Sequence, residues 1–184
     1  DFRANGRVAS ALESIDKAIR LDPKLAIAYL NRGLIYAESK NDKNALAAFG
    51  RAIELSPRYF EAYRERGRIY LGLRLTSSAL KDLSTAIALD HQDAVAYYYR
   101  GLAHEVDGSR EKAVLDFSKS IQLSPAFAEG YYKRGQQYYS LGRLASAVDD
   151  FNKVILLDPQ RMDALNYRAL AYGAMGQYQR QIDD

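Results

Sequence analysis

The chain has 184 residues, 48% of them hydrophobic and 27% charged, and its 26 Lys and Arg against 23 Asp and Glu give a formal charge of +3. That is enough chain for a sizeable core, and the positive charge is too dilute for a dedicated nucleic-acid binder. With no cysteine, disulfides and Cys-based zinc sites are excluded; no apolar run nears the ~20 residues of a membrane span, and DFRANGRVAS carries no signal core.

In chain order, residues 1–25 read as the tail of a helical hairpin, with Gly6 as the break between its helices and Pro23 after its end. Four blocks of equal length follow, 26–59, 60–93, 94–127 and 128–161, and 162–184 reads as the first part of another. The ruler is proline: Pro23 and Pro57 are 34 apart, Pro125 and Pro159 again 34, and His91 fills the skipped step. Gly33, Gly67, Gly101 and Gly135 keep the same spacing, continued by Ala169. So do Ala45, Ala79, Ala113 and Ala147, and the bulky column Phe49, Leu83, Phe117 and Phe151. Repeats of this length signal a stacked helical array.

Each block predicts two helices. The first, as in 94–106, ends at a break supplied by Gly108, Gly142 and Gly176, glycine being suited to the left-handed turn past a helix end. Blocks 26–59 and 60–93 put Lys40-Asn41 and Arg74 there; Asn tolerates that conformation and Arg adopts it at some cost. The second helix, as in 110–124, stops at Ser-Pro or Asp-Pro, because proline cannot continue a helix. Tyr97, Gly101 and His104 share one stripe, and Ala113, Phe117 and Ser120 another; packed antiparallel, the two stripes bury each other. Tyr29, Tyr36, Tyr63, Tyr70, Tyr97, Tyr131 and Tyr138 recur on the packing stripe and are assigned to the core.

The string YxxRGxxY, then Gly, then AxxxFxxAIxLxP resembles the tetratricopeptide repeat (TPR), over essentially the whole chain as four full and two partial repeats. The departures are His91 for Pro, His104 for Tyr, Val154 for a small residue and Gln181 where Ala is expected. The resemblance implies an all-α, right-handed superhelix of antiparallel helix pairs, a single array over 1–184. It also implies that first helices line a concave groove for a protein or peptide partner, and that the protein is no enzyme.

On that reading the groove column holds Leu30 and Leu34, Arg64 and Arg68, Tyr98 and Leu102, Tyr132 and Gln136, and Asn166 and Leu170, with Asn31, Glu65, Tyr99, Glu105, Lys133 and Tyr139 beside it. Tyr and Arg suit binding hot spots; packing between repeats is the competing role for Tyr98, Tyr132 and Tyr139. Some TPR proteins hold a chaperone's terminal carboxylate in a clamp of two lysines, two asparagines and one arginine. The matching positions here are Arg64, Arg68, Tyr99, Glu129 and Lys133; both asparagines are replaced and Glu129 has the wrong sign, so that ligand is not expected. Arg64 and Arg68, one turn apart, remain able to grip an acidic segment.

The arginines that precede the glycine column face recurring aspartates, so Arg66 with Asp82, Arg100 with Asp116 and Arg134 with Asp150 are expected to be structural ion pairs within hairpins. The two histidines, His91 and His104, have no metal-ligand spacing, no glycine-rich phosphate loop occurs, and neither metal nor cofactor is expected. RNA-reading pentatricopeptide arrays repeat one residue longer and carry a basic polar code absent here. The chain does not begin with Met, so a regulatory or targeting module cut from a larger, even enzymatic, protein is the alternative. Leu165, Tyr172 and Ile182 would form an uncapped apolar end through which two copies could dimerise. The absence of cysteine fits a soluble protein of cytoplasm or periplasm.

Overall fold

Glycine and proline set the helix ends, and the rest of the fold follows from where those ends fall. The computed structural model describes residues 2–177, which form ten helices: α1 Phe2–Leu21, α2 Ala26–Glu38, α3 Asp42–Leu55, α4 Phe60–Gly72, α5 Thr76–Leu89, α6 Ala94–Val106, α7 Arg110–Leu123, α8 Ala128–Ser140, α9 Leu144–Leu157 and α10 Met162–Ala174. No strand occurs among the described residues. Each of α2, α4, α6 and α8 opens one of the four repeat blocks, and the helix after it closes that block.

The turn inside a hairpin is a left-handed residue followed by a helix start. Gly108, Gly142 and Gly176 have φ of +77, +73 and +73°. At α6 the amide of Ser109 donates to the His104 carbonyl and that of Gly108 to the Glu105 carbonyl, which satisfies the last carbonyls of the helix. In the glycine-less blocks the strained residues are Lys40, φ +58°, and Arg74, φ +61°. Asn41 does not take that conformation: its φ is −93° and its side chain accepts from the Asn44 amide, capping α3. The short polar side chain is worth more to the exposed amides of the next helix than to the turn.

Gly6 does not break the chain, since α1 runs from Phe2 to Leu21 without interruption. A glycine inside a helix costs about 1 kcal/mol but does not end it. Gln181 and Ile182 lie outside the described residues.

The helices group into two units, residues up to His91 and residues from Gln92. In the first, α2 packs on α3 and α4 on α5, with α1 against α2 and α3 against α4. In the second, α6 packs on α7 and α8 on α9, with α7 against α8 and α9 against α10. One contact repeats at the crossing of each hairpin. A β-carbon at Gly101 would lie 2.6 Å from Cε1 of Phe117, and one at Gly33 2.5 Å from Cε1 of Phe49. The rings fill the space a side chain would take, and Phe49, Phe117 and Phe151 are fully buried.

The deepest first-helix residues are alanines, Ala28, Ala62, Ala96 and Ala164, with Ala103 and Ala171 two turns beyond the last two. Of the stripe tyrosines only Tyr29 is buried. Tyr36, Tyr63, Tyr70, Tyr97, Tyr131 and Tyr138 are half-buried at the edge of the core. Only a methyl group fits where two helices and a neighbour meet, so tyrosine sits beside that line.

Because a left-handed L-residue costs about 1–2 kcal/mol, Lys40→Gly and Arg74→Gly are expected to stabilise the protein by roughly 1 kcal/mol each. Lys43→Gly, inside α3, is expected to destabilise it; urea unfolding followed by circular dichroism measures all three.

Candidate protein-binding surface

The arginines that precede three of the crossing glycines, Gly67, Gly101 and Gly135, are each held by a pair of hydrogen bonds to one aspartate. Arg66 Nε donates to Asp82 Oδ2 at 2.7 Å and its Nη2 to Oδ1 at 3.0 Å. Arg100 grips Asp116 the same way at 2.8 and 2.7 Å, as Arg134 does Asp150. All three aspartates are buried. These hydrogen bonds raise the pKa of Arg66 and Arg100 above the ordinary value. Burial pushes the Asp150 carboxyl up, and Arg134 only partly offsets it, the desolvation expected of a buried pair.

The same arginine column also reaches back to the preceding second helix. Arg134 Nη1 donates to the Ser118 hydroxyl at 3.0 Å, Arg168 Nη1 to Asn152 Oδ1 at 2.7 Å, and Arg32 lies 3.5 Å from Asp16. Flanking tyrosines complete the setting: Arg66 lies over the rings of Tyr63 and Tyr70, and Arg134 over Tyr131 and Tyr138. A guanidinium bonded through its edge and covered on its faces is occupied. The three partners, Asp16, Ser118 and Asn152, stand at multiples of the same 34-residue step, but differ in residue type.

In unit one, the first-helix face carries Asn31, which is exposed, and Arg64 and Arg68, which are half-buried. Arg64 Nε donates to Glu65 Oε1 at 3.1 Å and Arg68 Nε to Glu65 Oε2 at 2.8 Å. Glu65 itself is buried, 9% exposed. Leu30, assigned to the groove column, is instead part of the core with Phe49 and Ala62.

In unit two, the face carries Tyr98, Tyr99, Lys133, Gln136 and Tyr139, all half-buried. Tyr98 stands edge-on to Phe127 and tilted on Phe117, and burial pushes its hydroxyl pKa strongly up. Tyr132, expected on this surface, is buried at 8% exposure. It packs against Phe151 and Tyr167, with the Arg161 guanidinium 4.0 Å above its ring. Burial and a hydrogen bond to Asp163 raise its pKa strongly. It therefore belongs to the packing between repeats, because the next first helix supplies the residues that cover it. Tyr139 also meets Tyr167 but keeps partial exposure.

Lys133 Nζ donates to Glu105 Oε2 at 3.3 Å, and the buried Gln137 donates to Glu105 Oε1 at 2.9 Å. Glu129, whose charge seemed unfavourable to an anionic ligand, is paired with Arg161 at 2.6 Å. Glu65, expected beside the groove column, is buried instead, and Gln137, also buried, was not singled out in the sequence, since each breaks the apolar pattern of its own helix.

Profiles of the tetratricopeptide repeat match residues 1–60 and 64–126 and residues 128–161. The chain belongs to the tetratricopeptide repeat family. Among solved structures, the MamA protein is 25% identical, with a TM-score of 0.80 over 86% of each chain. YrrB, described as a TPR protein with an unusual peptide-binding site, is 21% identical with a TM-score of 0.83, over 94% of this chain and 89% of that one. PilW, described as a widely conserved type IV pilus biogenesis factor, is 22% identical with a TM-score of 0.83, over 99% and 84%. The last two likenesses are of fold alone. No curated protein matches the sequence.

TPR arrays are protein-interaction scaffolds, and the family and its neighbours give this chain that role. Among the described residues no helix is long and apolar enough to cross a membrane, and no group of three or more His, Cys, Asp or Glu is arranged to hold a metal ion.

Breaking one TPR ion pair leaves a buried charge behind. Asp116→Ala is expected to cost about 3 kcal/mol, and the double variant Arg100→Met, Asp116→Leu to recover most of that in urea unfolding. His104 stands where blocks 60–93 and 128–161 carry Tyr70 and Tyr138. Its Nδ1 is buried without a partner, and its Nε2 is 3.8 Å from Asp116. Burial lowers its pKa from the ordinary 6.5, Arg100 and Lys112 act in the same direction, and Asp116 opposes them. The fold thus favours the neutral ring. The stability this contributes is complete above the unfolded-state value of 6.5 and is lost as pH falls from there through the lower folded-state value. His104→Tyr is expected to make the melting temperature less sensitive to pH between about 7 and about 5, as measured by thermal scans of both proteins.

Proposed function

We propose that this TPR protein holds a segment of a partner protein against the first-helix faces of its units and performs no chemistry of its own. The supporting observation is the contrast within those helices. Glycine, alanine and paired arginine repeat at the crossing, whereas the next face over changes from repeat to repeat. There it presents Asn31, Arg64 and Arg68 in one unit, and Tyr99, Lys133, Gln136 and Tyr139 in the other. These side chains are exposed or half-buried, and Tyr, Arg and Gln combine contact area with directed hydrogen bonds. A regulatory or targeting module of a larger protein would use the same faces.

The test is site-specific photo-crosslinking in native lysate. A photoreactive phenylalanine analogue replaces Asn31, Tyr99 or Gln136 on the first-helix faces, or Leu115 or Leu156, which are 70% and 72% exposed on second helices. The expected result is one partner crosslinked from the first set and not the second. It should be lost by about tenfold or more in a Tyr99→Ala, Gln136→Ala, Tyr139→Ala variant of unchanged helicity. Crosslinks confined to Leu115 and Leu156 would overturn the assignment.

A further inference from the structure

The outward stripe of α6 is apolar from end to end. Val95, Tyr99, Leu102 and Val106 follow one another at steps of four, three and four residues, which places them on one line of the helix. Val95 and Val106 are 45% and 42% exposed, and Tyr99 and Leu102 are half-buried. On each of the other first helices a charge interrupts the same four columns: Glu38 on α2, Glu61 on α4, Glu129 on α8 and Asp163 on α10. Helix packing therefore does not demand an apolar stripe there. Nor does the helix itself, because valine is a poorer helix former than glutamate. An apolar residue exposed singly is ordinary, whereas several in a line make a continuous patch.

Steps of four, three and four form the seam along which one helix packs on another. From Val95 to Val106 the helix rises about 16 Å, and a second helix laid alongside meets that length residue for residue. An extended strand does not, since its same-face side chains recur every ~6.7 Å and three such steps run to about 20 Å. One border of the stripe is polar: Glu105 on α6 accepts from Lys133 and Gln137 of α8 at 3.3 and 2.9 Å. On this side the carboxylates reach further into solvent than the cations. Glu105, Glu129 and Asp163 keep 29, 33 and 49% side-chain exposure, against 25% for Lys133 and 18% for Arg161. Three carboxylates against two cations make this border −1.

Resting on the binding-face reading above, we propose that the α6 stripe seats an amphipathic helix of the partner, with aliphatic side chains along Val95, Tyr99, Leu102 and Val106 and with lysine or arginine on the edge toward α8. Apolar anchors at helical spacing cover the two valines, and the basic edge lies beside Glu105 and Glu129. An acidic edge would meet carboxylates, and an extended segment would fall out of step with the stripe.

The experiment measures fluorescence anisotropy of labelled, end-capped peptides, each about five turns long as a helix, with the full chain. The first has leucines at steps of three and four with lysines beside them, in an alanine and glutamine background; the second has glutamates for the lysines; both are stapled as helices. The third has the composition of the first, unstapled, with leucine at alternate positions. The first is expected to bind best. Val95→Gln, Val106→Gln is expected to lose at least about tenfold in affinity for it, whereas Leu115→Gln, Leu156→Gln, on second helices, is expected to leave it unchanged; a peptide that merely adheres to apolar surface would lose in both. Circular dichroism confirms equal helicity in each variant. Tighter binding of the second or third peptide overturns the proposal, as does affinity for the first that the valine variant leaves unchanged. Self-association of the chain that the valine variant abolishes in sedimentation would give the stripe to a second copy and overturn it too. If the first peptide fails to bind while the partner still crosslinks from Tyr99, the helical ligand alone is wrong; crosslinks restricted to Leu115 and Leu156 would remove the binding face as well.

Discussion

The distance between the two helices of a hairpin is set by a ring resting on a glycine. Phe117 lies so close to the Gly101 backbone that a methyl group there would be 2.6 Å from the ring, and Gly33 with Phe49 and Gly135 with Phe151 repeat the arrangement within a few tenths of an ångström. Interiors packed at this density respond to a single added carbon. The crossing therefore fixes not only a spacing but a register, since only one pairing of the two helices puts every ring over a glycine.

That register accounts for the ion pairs. Arginine precedes the glycine on one helix and aspartate precedes the ring on the other, so when Gly101 meets Phe117, Arg100 meets Asp116. Both pairs are separated by sixteen residues, as are Arg66 with Asp82 and Arg134 with Asp150. A slip of one residue would bury an aspartate without its arginine, and an unpaired buried charge is costly. The bidentate pair contributes little net stability once desolvation is counted, but it makes the wrong registers worse. Through Ser118 and Asn152 the same arginines tie neighbouring repeats of unit two together.

Much of this was legible in the sequence because it repeats. The 34-residue columns of glycine, alanine and large apolar residues give the hairpins, and the facing Arg and Asp columns give the pairing. The backward reach of the arginines was equally periodic, in Asp16, Ser118 and Asn152, but its residues vary in type and so did not register as a column. The alanine line through Ala28, Ala62 and Ala96 was overlooked for another reason: the tyrosines next to it are larger and appeared better suited to a core. Gln137 could not have been placed inside by pattern, because a buried polar group depends on its partners, and Glu105 lies on another helix; Glu65 has partners on its own helix, Arg64 and Arg68, but spacing alone does not show that a charged residue is buried with them. Lys40 and Asn41 show the local limit, where two adjacent residues both suit a turn and hydrogen bonding to the next helix decides between them.

The repeats also supply a comparison internal to the chain. A position held constant across them, such as Gly33, Gly67, Gly101 and Gly135, answers to the crossing that every hairpin shares. A position that changes, such as Leu30, Arg64, Tyr98, Tyr132 and Asn166, is released from that demand and free to answer to something specific. Release does not mean exposure: Leu30 and Tyr132 are buried, and each has been recruited to cover a neighbour. What separates a recruited residue from one facing outward is whether the next first helix supplies something to pack against. Tyr167 and Arg161 do so for Tyr132. Arg64 and Arg68 each donate through Nε to Glu65 on their own helix, a contact that the hairpin crossing does not require.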